Sequence, residues 1–178
     1  METTPSLPAL QAFAGQELEW VKPKRPKNHY VLQASDGQIV ATLDRGKKSA
    51  TGATATGNYT LQRQGFWRQR IVVESAQDHA QAVFAGKTLT VPSGETITCE
   101  KVRMLSSERV WKDASGAPLL SVRPSNWKAT AKVVIEPAGA TLPELSLLVL
   151  LAQFRVVLAR EDEEAAVAAS VVSTAAVH

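Results

Sequence analysis

The residues of this chain best suited to chemistry are cations in two short clusters. Val21 to Lys27 reads V-K-P-K-R-P-K, so Lys22, Lys24, Arg25 and Lys27 lie on a stretch whose two prolines favour extended backbone. Phe66 to Arg70 reads F-W-R-Q-R, and strand alternation puts Arg68 and Arg70 on one face with Phe66. Cations at this density attract phosphates or an anionic membrane, at about 1 kcal/mol per cation near the surface. Arginine beside aromatic rings also suits lipid headgroups or single-stranded nucleic acid. Each cluster has a plainer reading. The first is then a solvated linker between strands. The second is then a barrel strand with Trp67 inward and its arginines in solvent.

Other chemistry is hard to find. His29, His79 and His178 are scattered, with no H-x-x-x-H or His/Cys spacing for a metal. Asp78-His79 has the residue types of a catalytic dyad, but its polar neighbours between two strand runs read as a turn. No G-x-S-x-G elbow, P-loop or G-x-G-x-x-G fingerprint occurs. The single cysteine, Cys99, sits in T-I-T-C-E and reads as a small buried hydrophobe. It allows neither an intrachain disulfide nor a thiolate cluster. No cofactor or metal is expected, and no catalysis.

These residues must be held by two kinds of element. Thr141 to Arg160, T-L-P-E-L-S-L-L-V-L-L-A-Q-F-R-V-V-L-A-R, reads as one helix over 142–160. Thr141 and Glu144 have capping-box spacing, Pro143 suits a first turn, and Arg160 suits the negative end of the dipole. Leucine, valine and phenylalanine cover every direction around it, with Ser146, Gln153 and Arg160 on one line. A helix apolar all round is enclosed by protein or by lipid. A span needs about 20 mostly apolar residues, and Arg155 interrupts this run. Burial in protein is therefore expected, with no transmembrane span. The acidic run Glu161–Glu164 reads as a solvated terminus or a partner contact.

Before the helix, about eleven strand candidates alternate between turn signals. Tyr30 to Leu43 forms a hairpin about Ser35-Asp36-Gly37. Trp127 to Ile135 alternates most cleanly, while Thr96 to Met104 suggests a bulge or twist near Glu100. Lys47 to Asn58, rich in alanine, threonine and glycine, gives only a weak strand signal. Tyr30–Leu43 also resembles Arg109–Val122, with Gly37 matching Gly116, Leu32 matching Trp111 and Leu43 matching Val122. A meander must bury one face and the apolar helix must be surrounded. A closed barrel threaded by the helix satisfies both and leaves no sheet edge.

Composition agrees. The chain has 178 residues, 44% hydrophobic and 21% charged, enough for one domain with a real core. Residues 1–15 read as a loose arm, 16–160 as the barrel with its helix, and 161–178 as an acidic and then Ala/Val-rich tail. The net charge of +3 permits anionic partners without demanding them. No basic n-region precedes an apolar run, so the expected location is cytoplasmic, with peripheral membrane contact allowed.

The hairpin Y-x-L-x-x-x-D-G-x-x-V-A at Tyr30–Ala41, its second copy V-W-K-D-A-S-G at Val110–Gly116, and the helix L-P-E-L-S-L-L-V-L-L together resemble the tubby C-terminal-like superfamily. Within it they resemble the LURP-one-related and phospholipid scramblase-like proteins. The resemblance implies a mainly β fold, a closed antiparallel barrel of about twelve strands around a central hydrophobic C-terminal α-helix. It implies a twelfth strand or a helix extension within Ala165–Val177. The scramblases' cysteine-rich segment and acidic calcium loop are missing here. The resemblance and the two cation clusters make a non-catalytic module for anionic phospholipid or phosphoinositide headgroups the leading expectation. A protein-interaction or scaffold module comes second. Nucleic-acid binding and enzymatic activity rank below both.

Overall fold

The computed structural model describes residues 6–175. Twelve strands close into one up-and-down antiparallel barrel, each pairing with its sequence neighbours, and β1 (Glu17–Val21) pairs with β12 (Ala131–Ile135) to shut the ring. Between them run β2 (His29–Gln33), β3 (Ile39–Arg45), β4 (Ser49–Thr54), β5 (Gly57–Gln64), β6 (Arg70–Ser75), β7 (Gln81–Ala85), β8 (Thr88–Thr90), β9 (Thr96–Lys101), β10 (Arg109–Lys112) and β11 (Pro118–Pro124). A short helix α1 (Pro137–Ala140) follows, and then α2 (Leu145–Ala175).

Alternate strand residues point inward onto α2. Leu18, Leu32, Leu43, Leu61, Val73, Leu89, Trp111 and Val133 are all buried, and so is every residue of α2 from Leu145 to Phe154. The weak strand signal near Lys47–Asn58 has a packing cause. That stretch carries β4, whose inward residues include Ala50 and Gly52. A Cβ on Gly52 would lie 2.6 Å from a Leu150 methyl, so the wall is thin where the helix approaches it. Two polar residues of α2 also bond to the surrounding barrel. Ser146 Oγ accepts from Thr56 Oγ1 at 2.8 Å, and Gln153 Nε2 donates to the Ala129 carbonyl at 2.8 Å.

Several expectations need correction. The helix begins at Leu145, not Leu142, and does not stop at Arg160. No capping box forms: Thr141 ends α1 and its hydroxyl donates to the Ala138 carbonyl at 3.0 Å. The acidic run does not end the helix, because its first two carboxylates find cations on the barrel rim. Arg45 Nε and Nη2 each donate at 3.0 Å to Glu161, and Arg63 Nη1 lies 3.0 Å from Asp162 Oδ2. The tail through Ala175 is thus a helix extension and adds no strand. Of the expected loose arm, residues 1–5 lie outside the described residues. Leu10–Phe13 form a 3-10 turn whose Leu10 and Phe13 are buried in the core.

No register shift occurs at Glu100. The shifts fall after Leu32 and after Trp111, matched positions of the two similar hairpins. Their turns also match: Ala34 N–H donates to the Gln38 carbonyl as Asp113 N–H donates to that of Ala117, with Gly37 and Gly116 at φ 84° and 86°. The turn at Val91–Glu95 has the same hydrogen bonds, with Gly94 at φ 87°. All three are turns closed by a left-handed glycine, whereas the matched register shift is shared by the two similar hairpins and not by the third.

Truncating Leu150 to alanine removes methyls from the most enclosed part of the core. It is expected to cost about 2–5 kcal/mol in urea unfolding, with the m-value unchanged. Arg45→Ala breaks a two-pronged, partly buried ion pair and should cost about 1–2 kcal/mol, less at high salt. Faster amide exchange in 161–175 is its second expected signature.

Candidate functional site

In an up-and-down barrel, alternate loops share an end. The loops β1–β2, β3–β4, β5–β6, β7–β8, β9–β10 and β11–β12 lie at one end, and the helix leaves the barrel there, since Arg45 and Arg63 at the far ends of β3 and β5 grip Glu161 and Asp162. The other end carries the remaining turns, the 3-10 turn and α1, which rests on β11 through a Glu136 N–H to Leu119 carbonyl bond. There Gly139 packs so closely that a Cβ would meet the Leu119 oxygen.

The two ends differ sharply in charge. The loops at the helix-exit end hold Lys22, Lys24, Arg25 and Lys27, then Lys47 and Lys48, Arg68, Lys87, Arg103 and Lys128, against one carboxylate, Glu108. Every one of these cations is exposed. The opposite turns carry Asp36, Asp78, Glu95, Asp113, Glu136 and Glu144, and no lysine or arginine. Both expected cation clusters therefore sit at one end, although more than forty residues separate Lys22 from Arg68. Arg70 opens β6 at that end, donating to Gln64 Oε1 at 3.3 Å.

The local conformations differ from expectation. Residues 24–28 bend rather than extend, with Asn28 at φ 61°. Lys22 lies 5.4 Å from the Tyr30 ring centre. Trp67 does not face inward. Residues 65–69 form a loop, and Trp67 is 91% exposed, stacked edge-on with Phe66 at 5.2 Å. Trp127 is likewise not in a strand: β12 starts at Ala131, and the indole is 82% exposed. Met104 and Leu105 project from the β9–β10 loop, Leu105 fully exposed. Bulky apolar side chains thus stand out from three loops of the cationic end.

The acidic residues of α2 do not cancel this charge. Glu161 and Asp162 are held by Arg45 and Arg63, and Arg160 pairs with Glu163 and Glu164 at 3.4 and 3.3 Å. From 165 to 175 the exposed helix carries no charged side chain.

The histidines have ordinary partners. His29 Nδ1 lies 2.6 Å from Asp44, and His79 Nδ1 lies 3.0 Å from Glu74 rather than engaging Asp78. Asp78 instead accepts from the Ala80 amide within its turn at 3.1 Å, so no dyad forms. His178 lies outside the described residues. Cys99 is buried in β9, and burial pushes its thiol up against the lowering influence of Arg155. Among the described residues no cluster of three His, Cys, Asp or Glu could hold a metal, and no helix is long and apolar enough to cross a membrane.

Sequence reasoning missed the lysines of the short β3–β4 and β7–β8 loops, and it misplaced Trp67 and Trp127. The usable signal was parity: counting hairpins assigns every second loop to one end, and those loops hold the cations.

No family model matches the chain, and no curated protein matches it. A protein from Arabidopsis thaliana, known from an X-ray structure, is similar in fold, with a TM-score of 0.51 at 10% identity. The match covers 88% of this chain and 99% of that one. At that identity the likeness concerns the fold alone.

Proposed function

We propose that this chain is a tubby-like, non-catalytic module of the cytoplasm that docks its helix-exit end on anionic membrane. The observation that carries this reading is the confinement of loop cations to one end, joined there by exposed aromatic and aliphatic tips. Cations supply attraction that reaches a Debye length into solution, at about 1 kcal/mol each near the surface. Phe66, Trp67, Met104, Leu105 and Trp127 supply the short-range part. Indole rings settle at the level of the headgroups, where an apolar body and an N–H are both satisfied. The acidic turns of the opposite end are repelled by the same surface, so the field also orients the barrel. Anionic phospholipid headgroups, phosphoinositides included, meet this description.

A protein-interaction role is favoured by one feature, the helix extension with exposed Val167, Val171 and Val172. Deleting 165–178 separates the two readings. Membrane docking through the loops predicts unchanged vesicle binding by the truncated chain. A partner-helix role predicts that even the full chain leaves vesicles unbound, and that the deletion abolishes partner binding or self-association.

Flotation with phosphatidylcholine vesicles containing phosphatidylserine tests the proposal. The wild-type chain should float at low salt and less so at high salt. Replacing Lys22, Lys24, Arg25 and Lys27 with glutamine should weaken flotation mainly at low salt. Trp67→Ser with Trp127→Ser should weaken it at every salt concentration. Failure of the wild-type chain to float at low salt would sink the proposal.

A further inference from the structure

A cleft of about 270 Å³ opens at the cationic end, between α2 and the wall formed by β10 and β11. Arg155 enters it from the helix, Arg109 from β10 and Lys128 from the β11–β12 loop. None of the three belongs to an ion pair among the described residues, whereas Arg160 and Glu163 at the rim engage each other. Arg155 is half-buried. Its guanidinium lies 4.4 Å from the Phe84 ring centre and 5.4 Å from that of Trp111, and Nη1 is 2.9 Å from Cys99 Sγ. These contacts orient the guanidinium without neutralising it. Two aromatic faces and a neutral thiol hold a charge that a core this apolar would otherwise exclude. Arg109 has only long contacts, 3.4 Å, to the Ser106 and Ser107 carbonyls.

We propose that this cleft binds a phosphate monoester attached to a short apolar body. Two arginines and a lysine line one small volume, and arginine forks match the oxygens of a phosphate. A doubly charged head compensates such a cluster better than a single carboxylate does. The remaining walls, Val122, Ala152 and Val156 beside Trp111, offer an apolar surface to whatever carries the phosphate. The volume admits a small group and not a bulky one. This site goes beyond surface docking and does not depend on it, because the ligand enters the barrel mouth whether it comes from a bilayer or from solution.

Calorimetric titration with hexyl phosphate, kept below its aggregation concentration, tests the site, with inorganic phosphate as the second probe and vesicle flotation run in parallel. Hexyl phosphate should bind the wild-type chain at least about tenfold more tightly than inorganic phosphate, the difference coming from the apolar wall. Arg155→Met keeps the packing against Phe84 and Trp111 and should weaken hexyl phosphate by about tenfold or more. Lys128→Gln, on an exposed loop where folding is not at stake, should weaken it by a smaller factor. The proposal is overturned if hexyl phosphate fails to bind, if it binds no better than inorganic phosphate, or if both substitutions leave its affinity unchanged. Flotation is read separately: hexyl phosphate binding without flotation removes the docking role and leaves the cleft, and the reverse removes the cleft alone. Equal loss of hexyl phosphate affinity in Arg155→Met and in the Trp67/Trp127 double variant would also count against a site inside the barrel mouth.

Discussion

An α-helix apolar on every side has no stable position at a surface, and the rest of this molecule follows from enclosing it. The wall must close completely, because an open sheet would leave one helix face wet and two strand edges unpaired. Twelve short strands achieve closure, and their inward residues match the helix in size. Leucine and tryptophan fill the wider gaps, and Gly52 yields where Leu150 presses outward. The enclosed helix also gives the barrel a direction. It enters beside α1 and the 3-10 turn, which seal one mouth with Leu10 and Phe13, and it leaves through the other. The sealed end needs close backbone packing, as at Gly139, while the exit end must leave room for a helix to emerge.

That direction separates structural from surface chemistry. The sealed end carries compact turns in which aspartate side chains cap their own loops, as Asp113 does for Ser115 and Ala117. The exit-end loops present lysine, arginine and indole outward. Charges that would spoil this arrangement are tied down at the rim: the carboxylates at the start of the helix extension are matched to arginines on the barrel and on the helix. The result is a basic, aromatic-tipped face with a charged cleft at its centre.

Much of the architecture was legible because it rests on composition and local pattern. The helix declares its burial by having no polar face, and alternation marks most strands. Its limits were not legible, because they depend on distant partners. Thr141 and Glu144 have capping-box spacing, yet Thr141 is taken up by α1. Glu161 and Asp162 look like a stop, yet Arg45 and Arg63 let the helix continue. Alternation also misleads where a loop happens to share it: Trp67 and Trp127 fit the period of the following strand but stand outside the ladder. The cation clusters could be seen in the sequence, but their convergence on one end is a consequence of strand parity. Arg155 read only as a flaw in a membrane span; that it lines a cleft with Arg109 required the wall to be in place.

Amide hydrogen exchange, measured residue by residue with and without anionic vesicles, tests the polarity of the barrel most directly. Residues 145–158 should exchange slowly in both conditions, as the enclosed core. Vesicles should add protection in the loops 65–69, 102–108 and 125–130 and leave the turns at 34–38, 91–95 and 113–117 unchanged. Protection at the acidic turns, or equal protection at both ends, would contradict a barrel that meets its partner through the mouth from which its helix emerges.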